Sequence, residues 1–240
     1  MKQVNLVKRV EENGGLASLP GKLISRTFFE TSPTLVAPRL LGKLVVHRTE
    51  ASLLGGRIVE AEAYLGPHND PIDTAAHAHR GPTPRNEVLF GHAGHAYVYS
   101  IYGQYFCLNV SCEAKGHAGS VLIRALEPVC GLEQMARNRN MRWTGALTDR
   151  VAAQLTSGPS RLCQAMAIVR TSHNGVDLTS PRSAFQIRDD GFQVSEALVT
   201  ARIGINPSNP ALDWPLRWVI PGNPCVSGPK SLSGNRIFIP

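Results

Sequence analysis

The sequence predicts a single α+β domain, and three observations carry that prediction. Alternating apolar and polar runs rich in β-branched and aromatic residues fill the first half of the chain, and helical patterns take over beyond Gly131. The stretch 67–95 is rich in Pro, Gly, His and Asn and has no core pattern of its own; a loop that long inside a compact domain is usually functional. No repeat, low-complexity linker or second apolar pattern divides the 240 residues, a length at which one domain buries enough surface to stand without staples.

Taken in order, residues 1–20 are polar and contain glycine, which predicts a loose tail ahead of a domain spanning 21–240. The start lacks the apolar segment of a secretory signal. "TSPTLVAPRLLGKLVVHR" predicts a short helix capped by Thr31 or Ser32, with Pro33 early, ending near Gly42 and followed by a strand over Lys43–Arg48. In "GRIVEAEAYLG" (56–66), a regular strand puts Ile58, Glu60, Glu62 and Tyr64 on one face and Val59, Ala61 and Ala63 on the other. "AYVYSIY" and "QYFCLNV" flank Gly103-Gln104, the signal of a hairpin with a two-residue type II′ turn. "GSVLIRALEP" (119–128) is a further strand. "SGPSRLCQAMAI" predicts a helix capped by Ser157 or Ser160 and running to about Ile168, residues 171–200 read as loops and short strands, and "LRWVIPGNPCVSG" reads as a last strand with a Pro/Gly exit.

Composition narrows the class of partner. The 25 Lys+Arg exceed the 18 Asp+Glu by seven, and the pI is about 9.4, a balance that favours a polyanion. Arg137, Arg139, Arg142 and Arg150 cluster in "MARNRNMRWTGALTDR", which also suits a solvated helix face. No run of 18 apolar residues is present to span a membrane. Five cysteines, an odd number without CxxC pairs, read as reduced and mostly buried thiols of a cytoplasmic or nuclear protein.

Four of the five tyrosines (Tyr97, Tyr99, Tyr102, Tyr105) fall within nine residues of the hairpin. Strands favour such rings as core. A ring at the hairpin tip, Tyr102, has no core to enter, and on a basic protein it suits stacking on a base or wedging open a duplex. Glu60 and Glu62, two apart on one strand leading into the His-rich loop, can activate a water or stabilise an oxocarbenium ion, and their spacing does not choose between them. His77 and His79 form an H-x-H without a well-spaced third ligand, so neither a metal nor another cofactor is expected. No nucleophile elbow or phosphate-binding glycine loop occurs, and Lys115 is the one lysine between Arg57 and Pro128, which argues against a Schiff base. These residues alone leave three readings open: a DNA-directed glycosylase, a carbohydrate glycosidase, and a nucleic-acid-binding module without catalysis.

The blocks "GRIVEAEAYLGP", "TPRN", "YVYSIYGQYFCLNV", "VLIRALEP", "SGPSRLCQA", "ARIGI" and "PLRWVIPGNPCVSG" together resemble the alkyladenine (3-methyladenine, methylpurine) DNA glycosylases, in the same order, from about Ser25 to Gly228. The resemblance implies one monomeric, metal-free domain around a curved antiparallel sheet with a protruding hairpin. It implies excision of 3-methyladenine, 7-methylguanine, hypoxanthine or ethenoadenine from double-stranded DNA, in the cytoplasm and nucleoid of a bacterium or the nucleus of a eukaryote. It assigns Glu62 as the water-activating carboxylate, with Arg124 and the Ile203 carbonyl as the water's other partners and Glu60 as a supporting residue. Tyr64, His77 and Tyr99 match the pocket that holds the flipped base. Tyr102 matches the wedge in the minor groove, and Asn109 the residue that crowds the amine of guanine. Two segments, "PHNDPIDTAAHAH" and "SCEAKGHAGS", are longer than the family pattern, and His79 has no counterpart role.

Overall fold

A computed structural model describes residues 19–229 and 232–239. The expected tail over 1–20 lies almost wholly outside them. Ten strands form one antiparallel sheet: β1 (Lys22–Leu23), β2 (Leu44–Arg48), β3 (Leu53–Tyr64), β4 (Ala96–Ile101), β5 (Tyr105–Cys112), β6 (Gly119–Cys130), β7 (Phe185–Asp189), β8 (Glu196–Thr200), β9 (Arg217–Val219) and β10 (Asn235–Phe238). Their order is β1-β7-β2-β3-β6-β5-β4. β3 is the branch point. Its first half pairs with β2 and its second half with β9, which leads through β8 to β10. β10 lies beyond the strand that the sequence suggests is the last.

The helices cover one face. α1 (Pro33–Leu40) starts as the sequence predicts, with Ser32 as cap accepting a hydrogen bond from the Thr34 amide. α2 (Leu132–Asn138), α3 (Asp149–Thr156), α4 (Pro159–Ala165) and α5 (Arg170–His173) follow in the second half. Leu155, Leu162, Cys163 and Met166 join Leu108, Val110, Val121 and Ile123 of the sheet in the main core. α4 departs from expectation at both ends. Its cap is Gly158, not a serine, because Ser157 terminates α3, and it stops at Ala165, three residues short of Ile168. The second face of β4–β6 is covered by the 67–95 loop, whose Ala78 and Leu89 pack on Tyr97 and Ala118. All five cysteines are buried and unbridged.

Two compensating bulges set the centre of the sheet. Ile58 faces Leu126 and Glu60 faces Ala125, so Val59 is an extra residue on β3. Glu60 faces Ala125 and Ala61 faces Ile123, so Arg124 is the extra residue on β6. Each bulge turns its strand locally, and together they restore the register. The simple alternation therefore fails at one place. Ile58 joins Ala61 and Ala63 in the main core instead of sharing a face with Glu60 and Glu62, and Val59 packs separately with Ala125, Ala152 and Cys225.

The hairpin also differs from expectation. Ile101 pairs with Tyr105, so the loop has three residues, Tyr102 to Gln104, and not two. Its first two residues have positive φ, +50° at Tyr102 and +74° at Gly103. The glycine supplies the second position without strain, and the tyrosine holds the first with its ring in solvent.

Candidate active site

Glu60 and Glu62 are both fully buried, but their surroundings differ. Glu60 accepts four hydrogen bonds: from Arg124 Nε at 3.0 Å, Arg217 Nε at 2.7 Å, and the Ser227 hydroxyl and amide at 3.0 and 2.7 Å. Three of these bonds fall on Oε1 and one on Oε2, all from groups fixed in the fold. Glu62 accepts from the Ile203 amide at 2.8 Å and the Tyr64 hydroxyl at 3.0 Å, and Arg124 Nη1 stands 3.4 Å away. Burial raises the Glu62 pKa above the ordinary carboxylate value, against the opposing pull of Arg124, the Ile203 amide and the Tyr64 hydroxyl. Burial likewise keeps the Tyr64 phenol neutral, so its hydroxyl donates.

Arg124 reaches this point because the bulge aims it between the two glutamates. Its Nη1 is also 3.4 Å from the Ile203 carbonyl, and its Nη2 3.4 Å from the Ser227 hydroxyl. Burial works against its charge, but Glu62 and Glu60 more than offset that and hold it protonated. Two carboxylates and two guanidiniums, Arg124 and Arg217, thus balance in one buried group.

Next to Glu62 lies a pocket lined by Tyr64, Ala76, His77, Tyr99, Asn109 and Ser120, among others. The covering loop supplies His77, and the sheet supplies the rest of those polar groups. The His77 and Tyr99 rings meet edge to face at 4.5 Å, and Tyr97 stacks behind Tyr99 at 5.3 Å. His77 Nδ1 lies 3.0 Å from the Tyr97 hydroxyl. Burial first, then Arg85 and His79, lower the His77 pKa, so the ring is neutral at neutral pH. Asn109 Nδ2 donates to Ser120 Oγ at 3.1 Å, while its Oδ1 is buried without a partner. Tyr102 is 91% exposed at the hairpin tip.

The structure therefore puts Tyr64, His77, Tyr99 and Asn109 on one pocket, and Glu62, with Arg124 and Ile203, joins it through the Tyr64 hydroxyl, with Tyr102 apart on the same hairpin that carries Tyr99. Of the clustered rings, Tyr97 is buried and lines the pocket beside Tyr99, while Tyr105 is partly exposed. His79 closes a local turn onto the Ala76 carbonyl. Among the described residues no cluster of three or more metal-ligating side chains is found, and no helix is long and apolar enough to cross a membrane. Arg217 and Ser227, which hold Glu60, escape sequence reasoning because they lie 157 and 167 residues away from it. Asp73, Arg202 and Ser120 are missed likewise: nothing local marks them.

The family model for methylpurine-DNA glycosylase matches residues 27–224. The chain belongs to that family. It is thus a DNA glycosylase, a hydrolase of N-glycosyl bonds acting in DNA repair. A relative from Koribacter versatilis, provisionally named a 3-methyladenine DNA glycosylase, is 48% identical over 217 residues, covering 90% of this chain and 96% of the relative. Relatives with the same provisional name are 46% identical in Burkholderia cenocepacia, over 88% of this chain and 94% of the relative, and 39% identical in Nitrobacter winogradskyi, over 96% and 100%.

Proposed function

We propose that this glycosylase removes 3-methyladenine and related damaged purines, including 7-methylguanine, hypoxanthine and ethenoadenine, by extruding the nucleotide and directing a water at C1′. The observation that supports the reading best is the contrast between the two glutamates. Glu60 is tied by four hydrogen bonds to Arg124, Arg217 and Ser227, whereas Glu62 has a raised pKa beside a ring-lined pocket. In this reading Glu62 takes a proton from a water also held by Arg124 and the Ile203 carbonyl. The water oxygen bonds to C1′ while the electron pair of the C1′–N bond leaves with the base. One carboxylate and one water imply a single displacement with inversion, without a covalent intermediate.

The departing base decides what else is needed. A purine methylated at N3 or N7 carries a positive charge and leaves as a neutral molecule without an acid. Hypoxanthine is neutral and must gain a proton as it leaves. Tyr64, His77 and Tyr99 hold the base, Asn109 fills the place of the guanine amine, and Tyr102 takes the vacated position in the stack. Extrusion costs a few kcal/mol in lost stacking and pairing, and a stacked ring returns about 1–3 kcal/mol. The enzyme works as a monomer on duplex DNA in the cytoplasm and nucleoid, and it needs no metal.

Release of free base from duplexes carrying each of the four lesions, with wild type and Glu62→Gln, tests this. Release by the wild type and loss of at least about 10²-fold in the variant is the expected result. A Glu62→Gln protein that still turns over would overturn the assignment.

A further inference from the structure

We infer that the buried ion pair of Arg202 and Asp73 is the positioning clamp of the site, holding Tyr64, the Ile203 amide and the loop that carries His77 in one arrangement around Glu62. This inference rests on the reading of Glu62 as the base. Both side chains are fully buried. The pair is bidentate, Nη1 to Oδ2 at 2.6 Å and Nη2 to Oδ1 at 2.8 Å. Such a fork fixes direction as well as distance.

The remaining bonds of the two partners reach the end of β3 and the turn before His77, with one Arg202 Nη2 contact to the Ala211 carbonyl at 3.5 Å. Arg202 donates to the Ala63 carbonyl at 3.0 Å, on the strand between Glu62 and Tyr64, and its guanidinium lies over the Tyr64 ring at 4.6 Å. It directly precedes Ile203, whose amide holds Glu62 and whose carbonyl faces Arg124. Asp73 accepts from the Leu65 amide at 3.0 Å, just beyond the strand, and from the Ala75 amide at 3.2 Å in the turn that leads to His77. Its carbonyl accepts from the Ala76 amide at 3.0 Å. The covering loop and the 201–204 segment come from opposite ends of the sequence, and this pair joins them at the end of β3. A burial this complete is costly for two charges, and replacing such a pair by apolar groups is often neutral for stability. Its retention here is explained by what it holds in place.

Glu62 is faced by Glu60 and Tyr64 of its own strand, by Arg124 of β6 and Cys107 of β5 beyond it, and by the Ile203 amide. The two hydrogen bonds that lower its pKa come from Tyr64 and Ile203, the two groups that Arg202 touches or precedes. Releasing the clamp loosens both. Arg202→Lys keeps a charge against Asp73 but loses the fork and the flat face over Tyr64; Asp73→Asn keeps the shape and loses the charge.

The test is single-turnover base release from a methylpurine duplex between pH 4.5 and 9, alongside melting temperature and binding to an abasic-site duplex. Both variants are expected to lose about 10- to 100-fold in release at neutral pH. Their acid limb should move to higher pH, and abasic-duplex binding should stay within threefold. A limb that stays in place while release falls only in step with the folded fraction would reduce the pair to a structural role and overturn the inference. Normal release from either folded variant would overturn it too. Glu62→Gln in the same assay separates the two readings: if that variant still excises, the assignment of the base fails, whatever the clamp does.

Discussion

At the scale of single residues, the two glutamates should fail in different ways. Glu62→Gln removes a carboxylate that the fold holds at a cost, so its melting temperature at neutral pH is expected at or above wild type while excision is lost. Glu60→Gln removes the charge from between two buried guanidiniums and replaces one of its two acceptor oxygens by an amide that donates. Breaking a buried pair costs about 3–5 kcal/mol, so this variant should lose melting temperature first and activity as a consequence. Thermal melts beside single-turnover rates distinguish the two. The pH dependence follows from burial. The Glu62 pKa is raised above 4.5, and catalysis needs the ionised form, so the acid limb of excision should lie above that value. The fold favours the protonated form. Glu62 therefore contributes most to stability below its unfolded pKa and loses that contribution as pH rises through its folded pKa, over the range in which activity appears. Tyr64→Phe deletes a hydrogen bond that lowers the pKa, so its acid limb should shift to higher pH; an unmoved limb would mean that the hydroxyl does not bear on Glu62. Asn109→Ser should open room beside Ser120 and permit release of guanine from mismatches, with hypoxanthine release little changed. An unchanged guanine-to-hypoxanthine ratio at intact melting temperature would remove Asn109 as gatekeeper.

At the scale of elements, the hairpin joins two tasks. Tyr99 lines the pocket from β4, and Tyr102 stands three residues further on at the tip. The strands were legible because alternation and ring content mark them, and so was the cap of α1. The turn was not. A glycine beside polar residues fits several loop lengths, and only the Ile101–Tyr105 register selects three residues. Since Tyr102 carries positive φ, glycine should occupy its place with less strain, about 1 kcal/mol. Tyr102→Gly is therefore expected to keep or raise the melting temperature, yet to weaken binding of lesion duplex more than undamaged duplex. Equal losses on both duplexes in a binding titration would argue against a ring that acts after extrusion. The bulge at Arg124 was equally hidden. Period-two reasoning has no way to see an extra residue that its neighbour strand cancels, so alternation puts Ile58 on the face of Glu60 and Glu62, whereas the bulge turns it into the main core with Ala61 and Ala63.

At the scale of the whole molecule, the charge is uneven in use. Arg137 is paired with Glu133, and Arg139 bonds Gln164 and the Gln154 carbonyl, so part of the arginine cluster does serve the protein's own surface. Arg161 is exposed on α4, which packs against β5, and it depresses the pKa of Arg139 after burial does, a sign of positive charge close by. Arg161→Gln should weaken damaged and undamaged DNA alike and reduce the salt slope by about 1. A loss confined to damaged DNA would place this arginine in recognition of the lesion instead. What sequence conveyed at this scale was sign and class: a basic single domain with its helices late. What it could not convey was which distant segments meet, because contacts such as Glu60 to Ser227 and Asp73 to Arg202 leave no periodic trace.

The five buried, unbridged cysteines make the native protein its own unfolding clock. A small disulfide reagent has no thiol to reach until the chain opens, so its rate of colour development counts openings and not surface chemistry. The positions are spread over distinct layers: Cys107 and Cys112 on the hairpin strand, Cys130 at the end of β6, Cys163 on α4, Cys225 beside Val59. Five equal rates would describe an enzyme that opens all at once. A faster Cys107 would describe one whose base pocket breathes while the rest of the sheet stays shut.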